Sequence, residues 1–323
     1  MTKGILFFDI LILINGKKIK ITKMNIIVLG AGAIGSLYGA KLSKLNDVTL
    51  IARKEHAEKI NKQGLRITGL ENNVYKLKAA AKIRKIEDNT LVLLTTKVYD
   101  SKNAVNSIKN LIKKDTIILC LQNGLYSENI VKKIVKNKCL VLRAVTNFGV
   151  AFLQAGVVKY NSCSYTAIEK SVKSKELADK FTECGLNGYV SGSIKADMWK
   201  KLVLNCVLNP VTAILRIENN GIADERLNPL KELIADECLK VAKKDGVEFH
   251  IDFIKTINRE FKNSVNISSM QQDLMKGKHT EIDYLNGGVA ALGRKYGIKC
   301  PVNEALAGII REMEKKSSSH ANV

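Results

Sequence analysis

Three glycines, Gly30, Gly32 and Gly35, form a Gly-x-Gly-x-x-Gly pattern whose chemistry is phosphate binding. A short apolar run, Ile26 to Leu29, precedes them as a predicted strand, and apolar residues recur at helical spacing after them. In that setting Gly30 permits a tight turn, Gly32 lets the backbone approach a pyrophosphate, and Gly35 lets the helix pack on the strand. The helix N-terminus then binds the anion through its N–H groups. The alternative is a glycine-rich turn without a ligand. The residues expected to contact the dinucleotide here are Gly30, Ala31, Gly32, Ala33, Ile34 and Gly35.

The end of the second predicted strand indicates which dinucleotide is bound. An acidic residue about 20 positions after the glycines usually binds the ribose 2′-hydroxyl of NAD. Here the strand Val48 to Ile51 is followed by Arg53 and Lys54, which can pair with a 2′-phosphate. We therefore predict NADPH/NADP+ as the cofactor. The alternative is a surface pair of basic residues, with Glu55 serving the ribose hydroxyls.

Two polar residues follow later predicted strands. Lys97 comes after the apolar run Leu91 to Leu94, and Asn123 comes after the run Ile117 to Leu121. In open α/β sheets ligands bind beyond the carboxyl ends of the strands, so both residues are candidates for the ligand site. The alternatives are an exposed loop lysine and an ordinary Asn-Gly turn.

A line of polar residues runs along one predicted helix, Ile194 to Leu215. Lys201, Asn205 and Asn209 lie at i, i+4 and i+8, which places them on the same side. If that side is buried, the three groups need polar partners, which indicates a site. The alternative is a narrow solvated stripe. Pro210 predicts a kink or an end to the helix nearby, with Asn209 as a candidate partner for the freed backbone.

Two shorter signals follow in the helical part. Asn266 is placed to cap a helix, and Ser269-x-x-Gln272 is compatible with a capping box. Glu281 stands near a predicted helix start, where a carboxylate is favourable to the helix dipole. By itself that position assigns Glu281 no further role.

The predicted secondary structure that positions these residues changes along the chain. Strand-rich patterns end in the Gly- and Ser-rich stretch Gly185 to Ser193, and helical patterns dominate beyond it. The predicted fold class is α/β, with an N-terminal Rossmann-like dinucleotide-binding domain followed by an all-α C-terminal domain. The N-terminal segment looks foreign to this fold, and we interpret it as an extension upstream of a natural start at Met24. The predicted divisions are an extension over 1–23, the dinucleotide-binding domain over 24–192, the helical substrate and catalytic domain over 193–314, and a disordered tail over 315–323.

Composition excludes several classes of function. The chain has 323 residues, a net charge of +21, seven scattered cysteines without a C-x-x-C pair, and four dispersed histidines. No metal site is expected, and the odd cysteine count suits a reducing cytoplasm. The lysines alternate with acids and lack aromatic interleaving, so we expect no nucleic-acid partner. The run Ile5 to Ile14 is short for a membrane span and Asp9 interrupts it, so we expect no membrane association.

Taken together, the motifs resemble the ketopantoate reductases (2-dehydropantoate 2-reductases) from about Met24 to about Glu314. The resemblance implies NADPH-dependent reduction of ketopantoate to pantoate, on the route to pantothenate and coenzyme A. The motifs that carry it are the glycine pattern, Asn123-Gly124, the run Trp199-Lys200-Lys201-Leu202 with Asn205, Asn209-Pro210 and Thr212-Ala213, the run Asn266-Ile267-Ser268-Ser269-Met270 with Gln272-Asp273, and Thr280-Glu281-Ile282-Asp283-Tyr284-Leu285-Asn286-Gly287.

The resemblance also assigns roles to individual residues. Lys201 matches the catalytic lysine and general acid, and Glu281 matches the essential carboxylate. An ammonium there stabilises charge growing on the carbonyl oxygen and donates the proton. Glu281 is expected either to orient the lysine or to hold a substrate hydroxyl. The implied substrate contacts are Asn123, Lys201, Asn205, Asn209, Asn220, Ser269 and Glu281, with Asn123 also at the nicotinamide and with Arg53 and Lys97 on the cofactor.

One departure and two alternatives accompany the resemblance. Asp100 stands where the family often has Gln, which puts the contact made there in doubt but leaves Lys201 and Glu281 unaffected. A paralogous reductase of another 2-oxo acid fits the same motifs. A non-catalytic dinucleotide-binding regulator fits the fold, although Lys201 and Glu281 argue against it. A homodimer is the expected assembly if the chain is oligomeric.

Overall fold

The computed structural model describes residues 10–14, 17–21 and 23–320, and it divides into two compact units. The first unit contains the chain up to Thr96 together with Asp100–Leu121 and Glu128–Val190. The second unit contains the chain from Ser191 onward together with two short segments, Lys97–Tyr99 and Gln122–Ser127. The helical part of the molecule is therefore built from three separate stretches of sequence.

The first unit is built on an eight-stranded sheet with a parallel centre. Six neighbouring strands run parallel, and the order of the sheet is β14-β13-β10-β9-β8-β3-β4-β7. A second sheet of four strands has the order β11-β12-β5-β6. The strands are β1 Ile10–Ile14, β2 Lys17–Ile21, β3 Asn25–Leu29, β4 Asp47–Ile51, β5 Leu65–Gly69, β6 Asn73–Tyr75, β7 Lys78–Ala80, β8 Thr90–Leu94, β9 Ile117–Cys120, β10 Leu140–Thr146, β11 Gly149–Gln154, β12 Val157–Ser162, β13 Thr166–Ile168 and β14 Gly188–Val190.

Helices cover both faces of the eight-stranded sheet because its central strands are apolar on both sides. Alternate residues of β3 point to opposite faces, so Ile26 and Val28 join one apolar core while Ile27 and Leu29 join another. The first core includes side chains of α1 and α5, and the second includes side chains of α3 and α4. This arrangement confirms the predicted α/β class of the N-terminal part. The helices of this unit are α1 Ala33–Leu42, α2 Lys54–Gln63, α3 Ser101–Ile108, α4 Ser127–Val135 and α5 Ser174–Glu183.

The second unit is a bundle of helices around its own apolar core, which confirms the predicted helical C-terminal part. The long helix α6 runs through this core and contacts α7, α9 and α11. Trp199, which is fully buried, is the largest side chain on its inner face. The helices are α6 Ile194–Leu215, α7 Asn228–Lys244, α8 Phe253–Phe261, α9 Ser269–Met275, α10 Asn286–Lys295 and α11 Pro301–His320.

Pro210 neither ends α6 nor leaves its freed carbonyl unbonded. A proline at this position cannot donate to the carbonyl of Cys206, four residues earlier. The side-chain Nδ2 of Asn286 donates to that carbonyl instead, at 2.9 Å. The expected role of Asn209 as partner for the freed backbone is therefore wrong, because Asn286 takes it. The helix continues to Leu215 and ends at Arg216, which adopts the left-handed conformation.

The structure differs from the sequence predictions at two further places, and it adds a strand pair inside the predicted extension. The cap of α9 is Ser268, whose hydroxyl accepts from the N–H of Gln271, and not Asn266. The helix α11 continues to His320, so residues 315–320 are helical where a disordered tail was expected, and 321–323 lie outside the described residues. The strands β1 and β2 pair as an antiparallel hairpin inside the predicted extension. The natural start at Met24 stays a prediction.

Candidate functional site

The glycine loop between β3 and α1 has the geometry that its sequence predicts. Gly30 has a φ of +107°, and a Cβ built on it would lie 2.6 Å from the Cγ2 of Thr96. A Cβ on Gly35 would lie 2.5 Å from the carbonyl oxygen of Gly30. Both positions therefore exclude a side chain for reasons of backbone conformation and packing. Gly32 differs, because a Cβ built there meets no atom within 4 Å.

The open space at Gly32 lies at the start of α1. Gly32 is the N-cap residue, no side chain caps this helix end, and no acidic residue lies in its first turn. The N–H groups of Gly30 and Ala31 both donate to the carbonyl of Ile51, at 3.1 and 2.8 Å, which fixes the loop against the end of β4. An exposed helix start with open space beside a glycine fits a phosphate group.

Arg53 lies two residues beyond the strand β4 whose last carbonyl fixes this loop. It is the N-cap residue of α2, and its side chain is exposed together with Lys54 and Glu55. The structure thus places the predicted 2′-phosphate contact and the glycine loop at the ends of the neighbouring strands β3 and β4.

A buried acidic cluster forms in the second unit around Glu281, which is 5% exposed. Its Oε2 accepts from the Nδ2 of Asn123 at 3.0 Å and from the Nζ of Lys97 at 3.5 Å, and its Oε1 accepts from the N–H of Val98 at 3.3 Å. The Nζ of Lys97 also donates to Oδ2 of Asp273, at 2.6 Å. The structure therefore brings three predicted site residues, Lys97, Asn123 and Glu281, into direct contact.

The contacts around Glu281 determine its charge. Burial alone raises the pKa of the Glu281 carboxyl, but Lys97, Asn123 and the Val98 N–H outweigh burial, so the pKa lies below its usual value. For Asp273 burial prevails over the attraction of Lys97, so the pKa of that carboxyl is raised. Burial opposes the charge of Lys97, but the two carboxylates outweigh it and raise the pKa of its ammonium. These contacts consequently favour the carboxylate form of Glu281 and the ammonium form of Lys97.

The segment that carries Asn123 is fixed at two further points. Gly124 has a φ of +75°, and a Cβ there would lie 2.7 Å from the carbonyl oxygen of Tyr284. Tyr126 donates its hydroxyl to the carboxylate of Asp245, which also accepts from Trp199 and Tyr296. The first point packs this segment closely on the turn that carries Glu281, and the second ties it to the C-terminal end of α7.

The predicted polar line on α6 is present, with different degrees of burial. Lys201 and Asn205 are half-buried, and Asn209 is 4% exposed. The helix α9 packs on α6, and the hydroxyl of Thr212 donates to that of Ser268 at 2.9 Å. A solvated stripe is therefore excluded for Asn209.

Asn220 and Ser269, the other two predicted substrate contacts, lie in segments that meet near α6. Asn220 belongs to a short 3-10 helix, Asn219–Ala223, which contacts α6. Its N–H donates to the carbonyl of Ser264, and the N–H of Asn219 donates to that of Asn266, both at 2.8 Å. Asn220 is half-buried and Ser269 is exposed at the start of α9.

Asp273 was not predicted as a site residue, although it closes the ion pair with Lys97. The two residues are 176 positions apart, and nothing in the local sequence around Asp273 indicates a cation partner. The only available signal was its place in the motif that begins at Asn266. The described residues contain no group of three or more His, Cys, Asp or Glu able to hold a metal ion. Nor does the described part of the chain contain a helix with the length and apolarity needed to cross a membrane.

Comparison with known families identifies the chain. The sequence model described as "Ketopantoate reductase PanE/ApbA" matches residues 26–172, and "Ketopantoate reductase PanE/ApbA C terminal" matches residues 193–314. The chain belongs to the ketopantoate reductase family. A 2-dehydropantoate 2-reductase from Pyrococcus horikoshii is 34% identical over 300 residues, which cover 90% of this chain and 98% of the relative.

Solved structures with the same fold include a member of this family and a dehydrogenase of another name. A PanE/ApbA family ketopantoate reductase from Ralstonia eutropha has a TM-score of 0.84 at 29% identity, covering 91% of this chain and 99% of that chain. A D-mandelate dehydrogenase, solved with NADH and anilino(oxo)acetate, has a TM-score of 0.83 at 28% identity with the same coverage. The chain is thus an oxidoreductase of the ketopantoate reductase family, and a dehydrogenase of another name shares its fold.

Proposed function

We propose that the protein reduces ketopantoate (2-dehydropantoate) to pantoate with NADPH, as a step of pantothenate and coenzyme A biosynthesis. The observation that carries the proposal is the buried, ionised Glu281, held by Lys97, Asn123 and the Val98 N–H. A buried carboxylate is a strong acceptor for a hydroxyl donor. Ketopantoate offers a 4-hydroxyl group, whereas the oxo acid that corresponds to mandelate has only an apolar ring at that end. The cluster therefore favours the hydroxylated substrate.

The glycine loop fits a dinucleotide cofactor. Packing accounts for Gly30 and Gly35, but nothing in the protein occupies the space beside Gly32, so a ligand explains that glycine best. The exposed Arg53 at the start of α2 supports a 2′-phosphate and hence NADPH over NADH. Bound NADPH supplies the hydride to the C2 carbonyl of the substrate.

The chain's own residues supply the remaining chemistry. Lys201 stabilises the negative charge that grows on the carbonyl oxygen and donates the proton to it as general acid. Asn205 and Asn209 lie one and two turns further along α6, and their amides bind substrate oxygens without adding charge. In this assignment Glu281 accepts a hydrogen bond from the substrate hydroxyl. Lys97 and Asn123 hold the carboxylate of Glu281 in place.

The deciding experiment compares ketopantoate with 3,3-dimethyl-2-oxobutanoate, which has the same carbon skeleton but lacks the 4-hydroxyl group. NADPH oxidation is followed by absorbance, and phenylglyoxylate and NADH are tested in parallel. We expect kcat/KM for the deoxy compound to fall by roughly 10³-fold or more, since a site built for a hydroxyl rejects its absence strongly. Faster turnover of phenylglyoxylate would instead assign the protein to a mandelate-type activity. NADPH binding without oxidation by any 2-oxo acid would favour the regulator.

Two broader expectations accompany the proposal. Every one of the seven cysteines is a free thiol, which is consistent with a reducing cytoplasm. The homodimer stays a prediction, which light scattering coupled to gel filtration measures directly.

A further inference from the structure

We infer that Glu314, on α11, is a positioning residue that fixes Glu281 by clamping the backbone of the preceding residue, Thr280. The inference rests on the proposed catalytic and binding role of Glu281. Glu314 lies 33 positions after Glu281 and belongs to a different element. It does not contact the substrate in this proposal, and it acts only through Thr280.

Glu314 binds Thr280 through one carboxylate oxygen. Its Oε1 accepts from the backbone N–H of Thr280 at 2.8 Å and from the Thr280 hydroxyl at 2.6 Å. Its Oε2 lies 3.2 Å from the Nδ1 of His279. The Glu314 side chain is only 12% exposed and Thr280 is 5% exposed, so water competes little for these bonds. Two bonds to one residue fix both its backbone and its side chain.

The clamp extends to Glu281 because the Thr280 hydroxyl, which donates to Glu314, also accepts a hydrogen bond. That oxygen accepts from the N–H of Ile282 at 3.2 Å, which closes a turn around Glu281. On the far side, the carbonyl of Glu281 accepts from the N–H groups of Tyr284 and Leu285, at 2.9 and 3.1 Å. The backbone of Glu281 is thus held from both directions, and Glu314 holds the first of them.

The same helix holds the turn at a second point. Arg311, three residues before Glu314, pairs with the carboxylate of Asp283, but both of those side chains are exposed. Exposed ion pairs contribute little, so the buried Glu314–Thr280 contact is the stronger of the two. The Glu281 carboxylate at this turn accepts from Lys97, Asn123 and the Val98 N–H.

The experiment removes the clamp in steps and uses the substrate that wild type reduces. Glu314→Ala removes both bonds, Thr280→Val removes the hydroxyl, and Glu314→Gln keeps an oxygen that accepts both. Glu312→Ala is the matched control, since Glu312 is exposed on the same helix and pairs only with Lys315 among its described salt bridges. We expect kcat/KM to fall by roughly tenfold or more in Glu314→Ala and Thr280→Val, because small displacements of a positioned group are costly. Glu314→Gln should recover most of the loss.

The pH profile separates positioning from a merely structural role. A displaced Glu281 loses the contacts that hold its pKa low while burial still raises it, so its protonation moves to higher pH. The charged or titratable groups in or facing this turn are Lys97, Tyr99, Asp273, His279, Asp283, Tyr284, Arg311 and Glu314. We expect the acidic limb of kcat/KM to move to higher pH in Glu314→Ala but not in Glu312→Ala. The fluorescence enhancement of bound NADPH should be the same in both variants.

Two outcomes would overturn the inference. One is an acidic limb in Glu314→Ala at the wild-type position, because a loss of kcat/KM without that shift would mark a merely structural role. The other is a loss in Glu314→Gln as large as in Glu314→Ala, which would make charge rather than the two bonds responsible. Failure of the proposed function is distinguishable because it shows in wild type alone, which would then reduce phenylglyoxylate faster than ketopantoate or reduce none of the 2-oxo acids.

Discussion

At the scale of single residues, Lys201 and Glu281 carry the proposed chemistry in different surroundings. Glu281 has three donors within 3.5 Å and is almost completely buried. Lys201 is half-buried on α6, one helical turn from Asn205. The proposed roles match these surroundings, with Glu281 as a fixed acceptor and Lys201 as the proton donor.

The Lys201→Ala variant tests the general acid. We expect kcat to fall by roughly 10²- to 10⁴-fold, the range that general acid catalysis supplies. The dissociation constant for NADPH should stay within about twofold of wild type, because Lys201 is assigned to the substrate. Lys200→Ala is the control, since Lys200 is the neighbouring lysine without a proposed role. Near-normal turnover of Lys201→Ala would remove Lys201 from the mechanism.

The glycine loop offers a matched pair of variants. Gly32→Ala places its methyl in open space, so Tm without ligand should stay near the wild-type value. The same methyl occupies the space proposed for the pyrophosphate, so the rise of Tm on adding NADPH should shrink strongly. Gly35→Ala should lower Tm before any ligand is added, because its methyl meets the Gly30 carbonyl. Equal NADPH stabilisation of Gly32→Ala and wild type would argue against a phosphate there.

At the scale of elements, α6 shows how one motif depends on another. Pro210 leaves the carbonyl of Cys206 without its helical donor. Asn286, which belongs to a distant motif, donates to that carbonyl instead. Sequence reasoning located α6 from Ile194 to Leu215 because its apolar pattern is local. It could not locate the partner of Cys206, because Asn286 lies 80 residues away.

A double-mutant cycle measures this dependence. Asn286→Ala should lower the free energy of unfolding by about 1–3 kcal/mol, since it leaves a buried carbonyl unsatisfied. Pro210→Ala restores a backbone N–H for that carbonyl, so the cost of Asn286→Ala should be smaller in the Pro210→Ala background. Urea unfolding of the four proteins gives the coupling. Strict additivity would show that the two residues do not share the carbonyl.

The helix α2 joins the glycine loop through His56, which is 4% exposed. Its Nδ1 accepts from the N–H of Gly156 at 2.8 Å, so a neutral ring donates from Nε2 to the hydroxyl of Ser36 at 3.1 Å. Ser36 in turn donates to the carbonyl of Ala31 in the loop, at 3.3 Å. Burial lowers the pKa of His56 below its usual value of 6.5. Protonation of Nδ1 would cost the bond from Gly156.

This network predicts a pH dependence of stability. The unfolded chain binds a proton at His56 more readily than the folded protein does, so folding loses stability as pH falls below about 6.5. Above that pH the contribution of His56 is complete. His56→Gln should flatten the slope of unfolding free energy between about pH 6.5 and 5, whereas His250→Gln, at an exposed position, should leave it unchanged. An unchanged slope in His56→Gln would exclude this histidine as its source.

At the scale of the whole molecule, the fold class could be predicted from the sequence. Which segments of the chain make up the second unit could not. The apolar strands, the glycine loop and the helical periodicity are local signals, and each produced the observed element. Lys97–Tyr99 and Gln122–Ser127 carry no signal for membership of a helical unit, because their partners Asp273 and Glu281 lie more than 150 positions away. Without the family resemblance, Lys97 and Asn123 could be predicted only as strand-end candidates, and their contacts with Glu281 could not be predicted at all.

The net charge of +21 predicts a salt effect on the binding of anionic ligands. A positive field accelerates the association of NADPH, and added salt screens it. We expect the association rate, measured by stopped-flow fluorescence, to fall several-fold between ~20 mM and ~500 mM NaCl. The dissociation rate should change less. An association rate independent of salt would show that the net charge does not attract NADPH and serves only to solvate the surface.

The chain passes between the two units five times, at Thr96–Lys97, Tyr99–Asp100, Leu121–Gln122, Ser127–Glu128 and Val190–Ser191. A recombinant that exchanges everything after Val190 with a relative would therefore receive a foreign Glu281 and Asp273 while keeping the recipient's Lys97 and Asn123. Such a hybrid splits a buried charge cluster between two parents, even though its junction lies in a loop. Functional hybrids between these reductases should accordingly require that the two short segments travel with the helical part from the same parent.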